Sequence, residues 1–402
     1  MTNPFRQHFT YRRLWQFAVP SIAMMIIESI YSIVDGFFVS NYAGKAAFAA
    51  VNLMIPLLLI PATTGLIFGT GGAALVGQCL GEGQRDKANR LFSLFTVVTL
   101  STGTVLTLAG AFWLEDVLRF LGANGDLLRD CRQYARIILF SLPCYTLQIF
   151  FHSFFATSGK PSVGGLYPLY YFLRRNDSLL RLSRPAWSGR AVVQAMANGS
   201  SEFMGSIAMS LVGLLYNFQL LRYAGTEGIA AYGVMMYISM IFASVFTGYS
   251  VGTAPVISFQ YGAENYRELR SVLRKSLLLL LGSGLAMTLG AELFAAPLCS
   301  LFVGYDAALL EKTVSGFHKF ALSFFLMGFG IYGSAFFTAL NEGLISALIA
   351  FLRTFVFETA AVLLLPLFLG ISGIWYSVVV AEAMALVLTA WFLVRGLSRM
   401  PS

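Results

Sequence analysis

Residues 14–42 read LWQFAVPSIAMMIIESIYSIVDGFFVSNY, and the only charges in this run are Glu28 and Asp35. About 20 apolar residues at a rise of ~1.5 Å cross the roughly 30 Å hydrocarbon core of a bilayer, so the run is long enough to span one. A charge at that depth is costly and is a functional candidate by default. Ser21, Glu28, Ser32 and Asp35 follow one another at intervals of seven, four and three. That spacing gathers them on one helix face, which should look into a bundle or a cavity rather than at lipid. The alternative for each carboxylate is a partner on a neighbouring helix that only holds packing.

Working outward, the whole chain has this character. Of its 402 residues 57% are hydrophobic and 11% charged, where a soluble protein carries about 25% charged residues. The mean hydropathy is +0.73. These values specify an all-α polytopic membrane protein. Ten stretches can span: 14–41, 46–79, 91–114, 135–156, 192–221, 229–258, 272–297, 314–338, 344–367 and 371–394. The first is too long for a signal peptide, so it stays as the first span. With the N-terminus inside, the inner segments hold 18 Lys and Arg and the outer ones 8, with Arg353 inside a span. The bias places both termini in the cytoplasm. The net charge of +8 then sets topology and does not point to nucleic acid.

The chain repeats itself. Tyr42-Ala43-Gly44 returns 181 residues on as Tyr223-Ala224-Gly225, and Gly81, heading GEGQRDKANR, returns as Gly262, heading GAENYRELR. Phe154-Phe155 returns as Phe336-Phe337, 182 residues on. Loop polarity is the same in both copies, so the repeat is parallel, about an axis along the membrane normal, a layout used by transporters. The expected lobes are 1–190 and 191–402. The first is incomplete: Phe172-Leu173-Arg174-Arg175 resembles Phe392-Leu393-Val394-Arg395, 220 residues on, leaving the first copy about 38 residues short after Pro161. The second copy has two spans there; the first has only PSVGGLYPLYYFL, too short for a hairpin of spans. The expected count is about ten spans instead of twelve, four in the first lobe and six in the second.

SIYSIVDGFFVS in the first span resembles the MATE (multidrug and toxic compound extrusion) transporter family, in its MepA-type branch. So do NGSSEFMGSIAMSLVGLLYN at 198–217, the run at 232–266 ending GTAPVISFQYGAENY, and AEAMALV at 381–387. The resemblance covers nearly the whole chain outside 161–190. It implies two helical lobes around a central cavity. It also implies multidrug efflux, the export of cationic or amphipathic organic compounds by antiport with Na⁺ or H⁺. On it Asp35 matches the acid of the first helix, used for cation or proton coupling, with Na⁺ at Asp35 as one form of that site. Glu202 and Asn217 match the acid and asparagine of the seventh span, and Glu382 a glutamate of the last. Glu28 has no counterpart in the pattern and rests on the helix-face argument. The acid some branches carry in the tenth span is missing from 314–338.

A carboxylate in a low-dielectric cavity can load a proton near neutral pH, hold a hard cation with neighbouring oxygens, or attract a cationic compound. Competition of ion and compound for coupled carboxylates gives exchange when the two access states bind them differently. Asp35 is therefore assigned to coupling, Glu202 as the second acid and Asn217 as a neutral ligand, with Glu28 and Glu382 as further substrate or coupling candidates. Tyr31, Met235, Met236, Tyr237 and Met240 suit promiscuous apolar binding, with bundle or lipid packing as the alternative. Arg353 and Glu358, five apart, read as an intramembrane pair. The expected protein is a monomer in the bacterial inner membrane, with small organic cations as cargo, lipid around it and no cofactor. No HExxH, nucleophile elbow or phosphate loop is present, so an enzyme is not indicated. NGSS at 198–201 fits a glycosylation sequon but sits at the inner end of a span. The competing readings are a lipid or lipid-linked oligosaccharide flippase, which would want a cationic cavity, and a transport-inactive truncated relative.

Overall fold

A computed structural model describes residues 4–38, 60–120, 125–159 and 179–398, with Val51, Ala123 and Met400. Among these residues there is no strand. The helices are α1 (Tyr11–Phe38), α2 (Ile60–Gly81), α3 (Arg85–Phe112), α4 (Leu114–Phe120), α5 (Gly125–Thr157) and α6 (Gly189–Gly225). They continue as α7 (Glu227–Gly262), α8 (Tyr266–Leu293), α9 (Ala295–Val303), α10 (Ala307–Ala321), α11 (Ser323–Ala339), α12 (Gly343–Leu369) and α13 (Ile371–Ser398). Nine are long and apolar enough to cross a membrane, and α10 with α11 forms a tenth span bent by 47°. Each of the ten expected spans overlaps one of these; residues 46–50 and 52–59 of the second lie outside the described residues. The stretch where the missing hairpin was inferred, 161–173, lies outside the described residues.

The repeat is visible in backbone detail. Gly83 (φ +78°) and Glu264 (φ +55°) are left-handed residues 181 apart, and Gly159 (φ +79°) and Asn341 (φ +62°) are left-handed residues 182 apart. Each pair closes the same turn: Gln84 N–H donates to the Cys79 carbonyl as Asn265 N–H does to Gln260, both at 2.9 Å. Likewise Gly159 N–H donates to Ala156 and Asn341 N–H to Thr338, both at 3.0 Å.

The two copies meet on glycines. A Cβ added to Gly81 would lie 2.1 Å from the Phe259 carbonyl oxygen, and one on Gly262 would lie 2.2 Å from the Gln78 carbonyl oxygen. Phe259 is the counterpart of Gln78, so each copy makes the same contact to the other, as a two-fold axis requires. Higher up, Gly71 of α2 packs on Ala195 and Gly199 of α6, and its counterpart Gly252 of α7 packs on Ala18 and Ser21 of α1. Small residues let helix backbones approach where no hydrophobic effect drives them together. The first two spans of each copy thus make the interface.

Both termini lie at one end of the bundle, here termed the terminal face. Gln260 Nε2 donates to the Phe5 carbonyl (2.7 Å), Lys275 Nζ to the Phe9 carbonyl (2.6 Å), and Arg270 Nη2 to the Met400 carbonyl (2.9 Å). The bend at Leu322 follows from a neighbour: the Thr288 hydroxyl of α8 donates to the Ala321 carbonyl (3.5 Å), and Gly284 lets α8 close on Phe325. A side chain entering the helical ladder is a sufficient cause of a kink.

Candidate functional site

From the terminal face, α1 is packed as far as one point. Leu14 and Ala18 are buried, Ser21 and Ile22 lie against Gly252 and Gly248 of α7, and the Ser29 and Ser244 hydroxyls bond to each other. Beyond Ser29 the helix parts from α7: Tyr31, Ser32, Val34 and Asp35 are exposed. Glu28 is half-buried, within electrostatic reach of Tyr145 on α5, while Asp35 lies within reach of Tyr134 on the same helix. The expected polar face therefore divides, with Ser21 in the closed interface and Asp35 in the open part.

Glu202 is half-buried on α6 and Asn217, four turns on, is exposed. Among the described residues the carboxylates of Glu28, Asp35 and Glu202 join no ion pair and accept no hydrogen bond. The repeat fixes their relative depth. Glu202 is the counterpart of Ser21 and stands at the closed crossing, whereas Asn217 is one residue past the counterpart of Asp35. Fourteen residues at ~1.5 Å each put Asp35 about 21 Å further along the bundle than Glu202. Asp35 and Glu202 therefore cannot hold one ion between them; Asp35 and Asn217 share a level.

Glu382 is different. It is buried, and Arg353 of α12 donates to it through Nε (3.0 and 2.9 Å) and Nη2 (2.6 Å). This corrects one reading. The ion-pair partner of Arg353 is Glu382 on the next span, while Glu358, five residues on in its own span, lies within electrostatic reach of the arginine without forming an ion pair. Glu382, grouped with the substrate or coupling candidates, is found paired with this arginine. The π-helical turn Leu352–Phe357 carries the arginine, a local widening common at special sites. Glu358 lies within electrostatic reach of Tyr216 and Tyr232, whose rings stack at 4.7 Å.

The apolar stripe also divides. Met235 is fully buried, in the packing role, while Tyr31, Met236, Tyr237 and Met240 are exposed. Asn198, set aside as a sequon, is a buried node missed as such by the sequence reading. Its Nδ2 donates to the Thr338 carbonyl (2.8 Å) and Asn341 Oδ1 (3.1 Å), and Asn341 Nδ2 donates to Gln78 Oε1 (2.5 Å). Gln78 Nε2 in turn donates to Glu82 Oε1 (3.1 Å). This chain of amides ties the copies together at the terminal face. Asn341 could have been found from the repeat, since it replaces Gly159 and asparagine is the usual substitute in a left-handed turn.

The MatE family model matches residues 20–167 and 203–364. The chain is 22% identical over 419 positions to the multidrug export protein MepA of Staphylococcus saprophyticus, covering 94% of this chain and 92% of that protein. It is 21% identical over 424 positions to MepA of Staphylococcus aureus, with the same coverage. Since 94% of 402 residues is about 378, about 41 of the 419 aligned positions have no residue here. Among solved structures, an outward-facing multidrug resistance MATE family transporter superposes with a TM-score of 0.85 at 19% identity, covering 98% of this chain and 97% of that one. A MOP superfamily transporter from Pyrococcus furiosus, described as having reversed binding-pocket polarity, does so with a TM-score of 0.85 at 18% identity and the same coverage.

Proposed function

Because the chain belongs to the MATE family of multi-pass membrane proteins, we propose that it is a multidrug efflux transporter exporting cationic or amphipathic organic compounds, driven by inward movement of Na⁺ or H⁺. The observation that carries this reading is the contrast along α1: packed on α7 up to Ser29, then open with Asp35 unpaired. An accessible, unneutralised carboxylate beyond a closed crossing can take a proton, a hard cation or a cationic compound, one in place of another. Asp35 is the coupling group, with Asn217 at its level as a neutral ligand. Glu202, at the closed crossing, is a second acid that the opposite access state would expose. Glu28, half-buried between them, is a further candidate. Exposed Tyr31, Met236, Tyr237 and Met240 supply adaptable apolar contact. The chain works as a monomer in the bacterial inner membrane, with the terminal face in the cytoplasm, as the Lys and Arg bias supports.

The polarity of the spans argues against a flippase for phosphate-bearing lipids. Arg353, deep in a span, is paired with Glu382, while among the described residues Glu28, Asp35, Glu202 and Glu358 are intramembrane carboxylates without an ion pair, against Lys319, whose partner is the Ser372 hydroxyl. The test is energised efflux of ethidium from an efflux-deficient bacterium, with membrane levels matched. The wild-type chain is expected to export the dye and Asp35→Asn to abolish export. Efflux unchanged by Asp35→Asn would remove the coupling assignment. No efflux from a well-inserted wild-type chain would leave a transport-inactive relative as the better account.

A further inference from the structure

A cavity of about 570 Å³ lies away from Glu28, Asp35 and Glu202, at the terminal face of the first copy. It is a half-open cleft between the α2–α3 turn and a non-helical strap, residues 179–188, that leads into α6. The strap is fixed. Its backbone N–H groups are taken by α3 side chains, Arg181 N–H by Asn89 Oδ1 (2.9 Å) and Ser183 N–H by Ser93 Oγ (2.7 Å), and Leu180 is buried.

Three cations line this cavity: Lys87, Arg90 and Arg190. Among the described residues none of them joins an ion pair or a side-chain hydrogen bond. Two acids are also in the wall. Glu82 receives the Gln78 amide, and Asp86 sits in the first turn of α3, where the helix dipole complements it. Neither forms an ion pair with the three cations among the described residues. The strap adds Arg181 and Arg184, and Trp187 stands on the rim, 77% exposed. A basic pocket beside spans, edged by an exposed tryptophan at the depth of a helix end, has the chemistry of an anionic headgroup site.

We propose that this cavity seats the headgroup of an anionic phospholipid from the leaflet on the side of the termini, with Lys87, Arg90 and Arg190 on the phosphate and Trp187 against the glycerol and upper chains. The occupant is a lipid rather than a free anion because the site joins span ends to the bilayer and carries its own interfacial aromatic. It is a fixed attachment and not a path for cargo: it lies at the terminal face, outside the Asp35 region, and does not depend on the transport reading.

The test uses the purified full chain in detergent with added dioleoyl-phosphatidylglycerol, dioleoyl-phosphatidylcholine or inorganic phosphate. Phosphatidylglycerol is expected to raise the melting midpoint by about 3 °C or more over phosphatidylcholine. The triple variant Lys87→Gln/Arg90→Gln/Arg190→Gln should lose that increment and keep the midpoint seen in phosphatidylcholine. Equal effects of the two lipids, an increment that survives in the triple variant, or an equal rise with phosphate alone would each overturn the proposal. Should the triple variant not fold, quenching decides the matter. Brominated phosphatidylglycerol should quench more wild-type fluorescence than the brominated choline lipid, and Trp187→Phe should remove that excess. An excess that persists in Trp187→Phe refutes the site.

Discussion

The two copies of the helical unit have kept one backbone and given up one chemistry. Their turns are superposable down to individual hydrogen bonds, at Gln84 and Asn265 and again at Gly159 and Asn341. Their charges are not. Where the first copy carries the open carboxylate Asp35, the counterpart in the second is Tyr216, fully buried. Where the second copy has Arg353 locked to Glu382, the corresponding stretch of the first lies outside the described residues. The difference shows which constraint acts where. Helix crossings are set by steric approach and must be kept in both copies. A charge in a cavity answers only to its own ligand and can be moved or lost in one of them.

The comparison can be broken most severely at its axis. Gly262→Val would place a Cβ 2.2 Å from a backbone carbonyl oxygen, forcing α2 and α7 apart. Loss of monodisperse protein in size-exclusion chromatography is expected, while Gly83→Ala, with nothing within 4 Å of the new carbon, should cost only about 1 kcal/mol of left-handed strain. Next comes the charge that only the second copy holds. Arg353→Met leaves Glu382 buried without a partner and should destabilise by about 3–5 kcal/mol. Adding Glu382→Gln should recover most of the melting temperature, and no recovery would mean that the arginine acts through packing instead.

A finer test sits on the turn pair. Glu264 occupies the left-handed position that Gly83 fills in the other copy. Glu264→Gly relieves about 1–2 kcal/mol of strain, partly offset by greater freedom in the unfolded chain, for a net gain of roughly 0.5 kcal/mol in a denaturation midpoint. The smallest effect is expected at α4, outside the spans. The hydrogen bond from Arg119 (2.9 Å), together with Arg132, holds the Glu115 carboxyl below its ordinary value. A depressed carboxyl stabilises above its unfolded value and loses that contribution as pH falls through its folded value. Wild type should therefore melt slightly above Glu115→Gln at about pH 6 and converge with it below about pH 4.

Much of this was legible in the sequence because membrane spans are written in length and hydropathy, and a repeat in simple recurrence. Gly81 and Gly262 were seen as heads of loops; that they press on each other needed three dimensions, since a glycine's role lies in what comes near it. The pairing of Arg353 was misread for the same reason. Two charges on one span are visible together in a sequence, whereas a partner 29 residues away on another helix is not. Asn198 was passed over because a sequon and a buried amide node share the same letters. The bend at Leu322 has no proline or glycine beside it, and its cause, Thr288, sits on another helix.

The glycine crossing has one more consequence. A contact in which Gly81 meets the counterpart of Gln78, and Gly262 meets Gln78 itself, is isologous, the geometry of a two-fold homodimer. The chain therefore carries a dimer interface inside a single polypeptide, built from the leading pair of helices in each protomer-like unit. A substitution at one such position therefore acts on the joint from one side only, where in a true homodimer it would act twice.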